Sequence, residues 1–288
     1  YLVEGSNIVV EPKSKPIIKD VPQLLFGNKP TDGGHLLMNS HERDKLLEVE
    51  PQAARWIKKV LGADEFLNAK ERWCLWLADI TDAELRAMPH VFNRVQKVAE
   101  ARRKSPDKGA QKMAERPHQF RDLNNPDDYI LIPSVSSERR TYIPIGFYDA
   151  NVISTNANYI IPNGTLYEFS ILTSLIHNDW MRLVAGRLKS DYRYSAKVVY
   201  NSFPWPDVTD AQRKSLIDLA KSVLLIRENY PESTLAELYD PLKMPADLLE
   251  AHQALDKFVD RLYRDKPFKD ATERLSCLLQ RYESLTKA

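Results

Sequence analysis

The chain has 288 residues, which is enough to bury the core of one large domain or of two ordinary ones. Hydrophobic residues make up 43% of it and charged residues 28%, a balance that is typical of folded proteins and excludes global disorder. The net charge is +1, but residues 94–121 hold nine Lys or Arg against three Asp or Glu, whereas residues 207–288 hold thirteen against fifteen. A local basic surface is expected of a protein that contacts phosphate, although a solvated helix face has the same pattern.

The sequence also indicates a compartment. No apolar run approaches the roughly 20 residues that span a bilayer, so we expect no membrane segment. The first residues lack the features of a signal peptide, and the absence of an initial Met suggests a piece of a longer protein. Cys74 and Cys277 lie far apart in apolar surroundings and are interpreted as buried thiols, which predicts a cytoplasmic location.

The N-terminal third begins with a connector. Residues 1–35 are rich in Pro, Gly and Lys and predict extended chain. Helical periodicity follows over 41–48, which Ser40 can cap, and over 51–61, which has Pro in its first turn and ends at a glycine. Residues 72–77 are apolar and aromatic and predict a buried strand.

Next, Thr81 and Glu84 form the pattern of a capping box, and the helix that they begin is interrupted near Pro89 and resumes to residue 104. Residues 128–162 contain short β-branched runs divided by turn residues, which predict a small antiparallel sheet. These runs are 129–133, 140–147, 151–155 and 158–162.

Helical spacing returns over 165–188, and the stiff segment Phe203-Pro-Trp-Pro206 is interpreted as a domain boundary. Beyond it, helices are predicted over 210–229, 233–239, 246–264 and 269–285. The expected fold class is therefore α+β: a mixed helix and small-sheet domain over 36–206, followed by a small all-α bundle over 207–288.

The sequence shows no pattern for catalysis. It has neither a G-x-G-x-x-G loop nor a P-loop, so it lacks the two common phosphate-cradling motifs. Its six histidines never fall at metal-ligand spacing with cysteine or carboxylate. We expect no catalytic residue and no metal site in this chain.

Two segments carry chemistry suited to DNA. Ser136-Ser-Glu-Arg-Arg140 places two hydroxyls and two guanidiniums at the start of a strand. In 187–195, read as one extended chain, five side chains would share a face, namely Arg187, Lys189, Asp191, Arg193 and Ser195. Such a face could contact bases and phosphates, although a salt-bridged solvent face explains it equally well.

Five strings in this chain match a known family. They are Lys70-Glu-Arg-Trp-Cys-Leu-Trp-Leu77, Ile80-Thr-Asp-Ala-Glu-Leu85, Ser136-Ser-Glu-Arg-Arg-Thr-Tyr-Ile-Pro144, Gly186-Arg-Leu-Lys-Ser-Asp-Tyr-Arg-Tyr-Ser195 and Tyr200-Asn-Ser-Phe-Pro-Trp-Pro206. In this order they resemble the MmeI-like restriction-modification enzymes, in the part that follows the methyltransferase domain. The resemblance covers nearly the whole chain, and the last two strings are its most specific part.

The resemblance implies a target-recognition domain over about 25–205 and a helical C-terminal domain after it. It also implies a bacterial parent, of a restriction-modification or phage-defence system, that transfers methyl from S-adenosylmethionine to adenine N6. The family's cofactor and catalytic motifs are absent here, so we expect this chain to bind no cofactor. Its implied partners are double-stranded DNA and the parent's methyltransferase domain.

The resemblance also implies which residues contact DNA. The family's base-reading positions fall here on Lys189, Asp191, Arg193, Asn156, Ala157 and Ser134. Candidate phosphate contacts are Arg94, Arg102, Arg103 and Lys104 of the basic helix, with Arg139, Arg140 and Arg187. Lys189 and Asp191 could read one G·C pair, because Lys donates to guanine and Asp accepts from cytosine N4.

Two alternatives stay open. One is a metal-dependent nuclease using Asp127 and Glu138, although an arginine stands where such a site has its lysine. The other is an interaction module, whose basic helix would dock on the parent's other domains.

Overall fold

The computed structural model describes residues 8–287, and its strands and helices follow one another in mixed order. The strands are β1 (Leu25–Phe26), β2 (Leu37–Met38), β3 (Ile57–Leu61), β4 (Trp73–Leu75), β5 (Asp128–Pro133), β6 (Val135–Ser136), β7 (Gly146–Asp149), β8 (Val152–Ser154), β9 (Asn158–Pro162), β10 (Gly186–Leu188) and β11 (Asp191–Arg193). The helices are α1 (Ser40–Val49), α2 (Ala63–Asn68), α3 (Asp82–Arg86), α4 (Pro89–Arg103), α5 (Lys108–Lys112), α6 (Leu166–Thr173), α7 (Leu175–Val184), α8 (Asp210–Glu228), α9 (Leu235–Leu238), α10 (Ala246–Tyr263) and α11 (Ala271–Lys287). The α+β class is confirmed.

The chain forms two compact units, each made of separate segments. Unit 1 contains residues 8–25, 128–147 and 159–287, and unit 2 contains residues 26–127 and 148–158. Each unit has its own buried apolar cluster. No helix in residues 8–287 is long and apolar enough to cross a bilayer.

Unit 2 is built around a mixed four-stranded sheet with the order β2-β4-β3-β8. Strand β3 pairs antiparallel with β4 and parallel with β8. Helix α4 contributes Val91, Val95 and Val98 to the core at helical spacing, all of them buried. The capping box of Thr81 and Glu84 that begins α3 is confirmed, as is the buried strand β4.

One predicted helix in unit 2 is wrong. Residues 51–61 form a 3₁₀ turn over Pro51–Trp56 and then strand β3. The physical reason is pairing on both sides: β3 hydrogen-bonds to two strands distant in sequence, and this outweighs a local helical periodicity. The cap of α1 is Asn39 rather than Ser40, because the Asn39 side chain accepts from the Glu42 N–H.

Unit 1 contains a four-stranded sheet of order β1-β9-β5-β7 and a three-stranded antiparallel sheet of order β10-β11-β6. Helix α8 packs against α6 and α10, and α11 packs against α7, so the C-terminal helices share a core with the central ones. The capping box of Thr209 and Gln212 that begins α8 is confirmed. Residues 8–25 are also held in this unit, since Lys13 and Ile17 donate backbone hydrogen bonds to Lys197 and Asn201.

The prediction of a single small sheet over residues 128–162 is also wrong, because the strands of this region belong to three different sheets. Residues 152–154 pair with unit 2's β3 in parallel, and residues 140–145 are not a strand. In that stretch, the Ile143 N–H donates to the Asn178 side chain (2.9 Å) and the Tyr142 hydroxyl to Asp256 (2.6 Å). Pro144 has no N–H to give to a ladder. The predicted connector over 1–35 lies partly outside the described residues, and the boundary at 206 stays a prediction.

Candidate nucleic-acid interface

The segment from Gly186 to Arg193 is a hairpin and not one extended strand. Leu188 pairs with Asp191, so Lys189 and Ser190 form a two-residue loop. Lys189 has a φ of 57°, in the left-handed region that tight hairpin loops require. The prediction that Arg187, Lys189, Asp191, Arg193 and Ser195 share one face of an extended chain is therefore wrong, because the chain reverses at Lys189.

The hairpin register defines two faces. Directly opposed residues lie on the same side of a sheet, so Leu188, Asp191 and Arg193 share the outer face. Arg187 and Tyr192 lie on the other face, where Tyr192 is buried. Among residues 8–287, no ion pair joins Lys189 to Asp191, so a salt bridge between these two residues does not account for their charges. Lys189 and Arg193 are both exposed.

Arg187 braces this hairpin. Its guanidinium lies 3.8 Å from the centre of the Tyr192 ring, a cation–π arrangement. It also donates to the Ser190 carbonyl at 2.7 Å and lies 3.5 Å from the Glu138 carboxylate. These contacts of Arg187 stabilise the hairpin loop. Its contact with a DNA phosphate stays a prediction.

The segment after β6 lies against the hairpin within unit 1. Strand β6 pairs with β11, and the Asp191 carboxylate accepts from the Glu138 N–H at 3.4 Å. Arg139 lies 3.8 Å from the Asp240 carboxylate. Burial lowers the pKa of Arg140, while the Asp191 and Asp240 carboxylates oppose that shift. Two acidic residues, one on the hairpin and one after α9, thus surround the predicted phosphate-binding pair Arg139 and Arg140.

The base of the hairpin is anchored in the core. The Ser134 carbonyl accepts from the Tyr194 N–H at 2.9 Å, so this predicted base-reading position is fixed by backbone beside β11. The buried Tyr194 hydroxyl lies 2.9 Å from His177 Nε2 on α7. Burial lowers the pKa of His177 to about 3, so this histidine is neutral at physiological pH.

Asn156 and Ala157 belong to unit 2, in the turn between β8 and β9. The Asn156 N–H donates to the Asn28 carbonyl at 3.2 Å, and the Asn156 side chain is exposed. Asn28 is fully buried, and its amide donates to the carbonyls of Asn124 (2.9 Å) and Ser154 (3.0 Å). The buried Asn28 therefore holds in place the turn that carries Asn156. Asn28 was not identified from the sequence, where it is a single polar residue outside any motif.

The basic helix α4 requires a correction. Arg102 is only 1% exposed and donates five hydrogen bonds to backbone carbonyls. Burial lowers the pKa of Arg102 to about 10. Arg94 likewise donates to the carbonyls of His35 (2.8 Å) and Leu37 (3.1 Å). The prediction that Arg102 contacts phosphate is wrong, because its guanidinium is buried and its donors are already used inside unit 2. Arg94, whose side chain is 23% exposed, stays a predicted phosphate contact.

Arg103 and Lys104, at the end of the same helix, are exposed. They form no ion pair within residues 8–287. These two cations, like the exposed Lys97 on the same helix, are available to a phosphate.

The geometry gives no support to a nuclease. Glu138 pairs with Arg187, and it and Asp127 fall in different units. In the described part of the chain, no three His, Cys, Asp or Glu side chains come together in a way that could hold a metal ion.

The described residues present a polar hairpin in unit 1 and a polar turn in unit 2. Comparison with known proteins gives the class of the protein. The family described as "MmeI, target recognition domain" matches residues 4–207, and that described as "MmeI, C-terminal domain" matches residues 208–288. The chain belongs to the MmeI family and comprises these two domains, without the catalytic methyltransferase domain.

Two relatives are similar over the whole chain. DNA methyltransferase A of Bacillus subtilis (strain 168) is 41% identical over 288 residues, which is 100% of this chain and 32% of that protein. The solved structure of the Type IIL restriction-modification enzyme MmeI in complex with DNA is 44% identical, with a TM-score of 0.95 over 99% of this chain and 38% of that one. The chain thus spans about a third of the length of these relatives.

Proposed function

We propose that this chain recognises a specific sequence in double-stranded DNA on behalf of an adenine-N6 methyltransferase. One observation carries the proposal: 99% of the chain superposes, with a TM-score of 0.95, on an MmeI structure that contains DNA. The chemistry of the hairpin agrees with it, because cations and a carboxylate are presented on a narrow, rigid loop. A two-stranded β-ribbon fits the major groove, where each base pair has its own pattern of donors and acceptors.

In this proposal the hairpin loop reads one G·C pair. Lys189, at the tip, donates to guanine O6 or N7, and Asp191, on the outer face, accepts from cytosine N4. Arg193 shares that outer face and contacts the neighbouring base pair. Asn156, Ala157 and Ser134 complete the set of base-reading residues.

Phosphate contacts hold the duplex in register. The exposed cations Arg103, Lys104 and Arg139 suit this role, because phosphate contacts position a protein on DNA without reading sequence. Binding to these phosphates offsets the cost of moving the target adenine out of the base stack. Unstacking and unpairing one base costs roughly a few kcal/mol.

The parent in this proposal is a bacterial, cytoplasmic restriction-modification or phage-defence enzyme. Its methyltransferase domain binds S-adenosylmethionine, while this chain binds none. That domain and the DNA are the partners of this chain.

The test is to reverse the hairpin's charges in the full-length parent and sequence the methylated sites. Lys189→Glu with Asp191→Arg makes the loop complementary to the reversed base pair. The expected result is a methylation motif in which one G·C pair becomes C·G and the other positions stay unchanged. A wrong base pair costs roughly 5- to 150-fold in affinity, so the change in motif is easily detected.

The matched control is a charge reversal of the same kind at two exposed positions of helix α8, Lys221→Glu with Asp218→Arg. This control keeps the original motif. An unchanged motif with normal activity in the hairpin variant would show that Lys189 and Asp191 do not read bases. Loss of binding to the parent's methyltransferase domain, with unchanged DNA affinity, would instead favour the interaction-module alternative.

A further inference from the structure

Leu188 is an exposed leucine at the end of the hairpin. Its side chain is 52% exposed, and it belongs to neither apolar cluster of the described residues. By contrast, Tyr192 on strand β11 and Tyr194 just after that strand are 9% and 3% exposed. Leu188 therefore adds little to the stability of unit 1, although it lies directly before the hairpin loop.

The position of Leu188 ties it to the residue proposed to read cytosine. It pairs directly with Asp191, and side chains so opposed have Cβ atoms about 4.5–5.5 Å apart. Both lie on the outer face with Arg193, and Lys189 follows Leu188 at the tip. A surface that contacts Asp191 must therefore also contact Leu188.

A leucine side chain offers no donor and no acceptor, so it can distinguish bases only by apolar contact. In the major groove, the one apolar group presented by the four base pairs is the 5-methyl of thymine. The other side chains on the outer face of the hairpin, Asp191 and Arg193, are charged and match the polar edges of bases. Leu188 is therefore the outer-face side chain suited to contact this methyl group.

We infer that Leu188 contacts the 5-methyl group of a thymine in a base pair next to the one read by Asp191. This inference rests on the proposed function. It makes Leu188 a specificity-determining residue, and it predicts that this position of the recognition sequence is T·A because of one methyl group. Burial of one methyl group changes affinity by about fourfold.

The experiment removes that methyl group from the DNA. After the recognition sequence of the full-length parent has been mapped, each thymine of a synthetic duplex is replaced in turn by deoxyuridine, and kcat/KM for methylation is measured. Wild-type parent is expected to lose about fourfold at one thymine beside the G·C pair. Leu188→Ala is expected to be about fourfold slower on the thymine duplex and to show no further loss on the uracil duplex.

Controls separate this inference from the function it rests on. Leu225→Ala, a leucine 60% exposed on α8, keeps the full uracil effect. Asp191→Asn is expected to relax discrimination at the G·C pair while keeping the uracil effect. If no thymine shows an effect in wild type, or if Leu188→Ala retains it, the inference on Leu188 is overturned. If Asp191→Asn also leaves base discrimination unchanged, the hairpin does not read DNA and the proposed base-reading mode fails with it.

Discussion

Helix α4 and the hairpin β10–β11 both carry clusters of charge, and two arginines of α4 use theirs in the opposite way to the exposed cations of the hairpin. In α4, Arg102 and Arg94 direct their guanidiniums inward and hydrogen-bond to backbone carbonyls of unit 2. On the hairpin, Lys189 and Arg193 are exposed and have no ion-pair partner in residues 8–287. The comparison teaches that the number of cations in a segment does not identify a DNA-binding surface, because burial and local acceptors decide what each cation does.

The largest effect is expected at Arg102. Arg102→Ala leaves five carbonyls without their donor, and unsatisfied buried polar groups cost about 1–3 kcal/mol each. We expect the free energy of unfolding to fall by at least about 3 kcal/mol, measured by chemical denaturation. The matched control is Arg103→Ala, an exposed neighbour, with a change below about 0.5 kcal/mol. Equal stability of the two variants would show that burial does not distinguish Arg102 from its exposed neighbour.

An intermediate effect is expected where the hairpin is anchored. Burial lowers the pKa of His177 to about 3, whereas an unfolded chain titrates near the ordinary value of 6.5. The unfolded state therefore binds a proton between these values that the folded state does not. The stability that neutral His177 contributes is complete above pH 6.5 and is lost as the pH falls toward 3.

The test compares unfolding free energies at pH 7 and pH 5. His177→Gln should reduce the loss of stability between these two pH values by about 2 kcal/mol. If His177→Gln kept the wild-type pH dependence, the pKa of His177 would have to be the same in the folded and unfolded states.

The smallest effect is expected at the exposed end of α4. Replacing Arg103 and Lys104 with alanine should weaken binding of the full-length parent to cognate and random duplexes by the same factor. The slope of log affinity against log salt should decrease by about one unit per lost contact. Fluorescence anisotropy over a range of salt concentrations measures both. An unchanged slope would assign the whole of α4 to packing and solvent, leaving the hairpin as the better candidate for DNA contact.

The sequence predicted the parts of the fold that depend on local signals. Helices α3 and α8 follow capping boxes within four residues of chain, at Thr81 and Thr209. Strand β3 could not be predicted in this way, because its partners lie elsewhere in the sequence. The hairpin loop could not be predicted because its left-handed position is occupied by Lys189. Glycine or asparagine usually occupies such a position.

The candidate site was predicted in kind but not in arrangement. Motif matching selected residues that lie on a hairpin and on an exposed turn, and their roles stay predictions. The burial of Arg102 could not be seen, since its carbonyl partners are spread from Pro30 to Gln119. Asn28, which supports the turn, also carries no local signal, because only the folded chain brings it to Ser154 and Asn124.

Both units are discontinuous in sequence, and this limits how the chain can be recombined with a homologue. The chain enters unit 2 at residue 26, leaves after residue 127, and returns for residues 148–158. Neither unit can be exchanged between homologues by a single crossover, because one splice would join incomplete halves of two cores. A chimera with a homologue would keep each core intact only if the crossovers on both sides of every exchanged segment were matched.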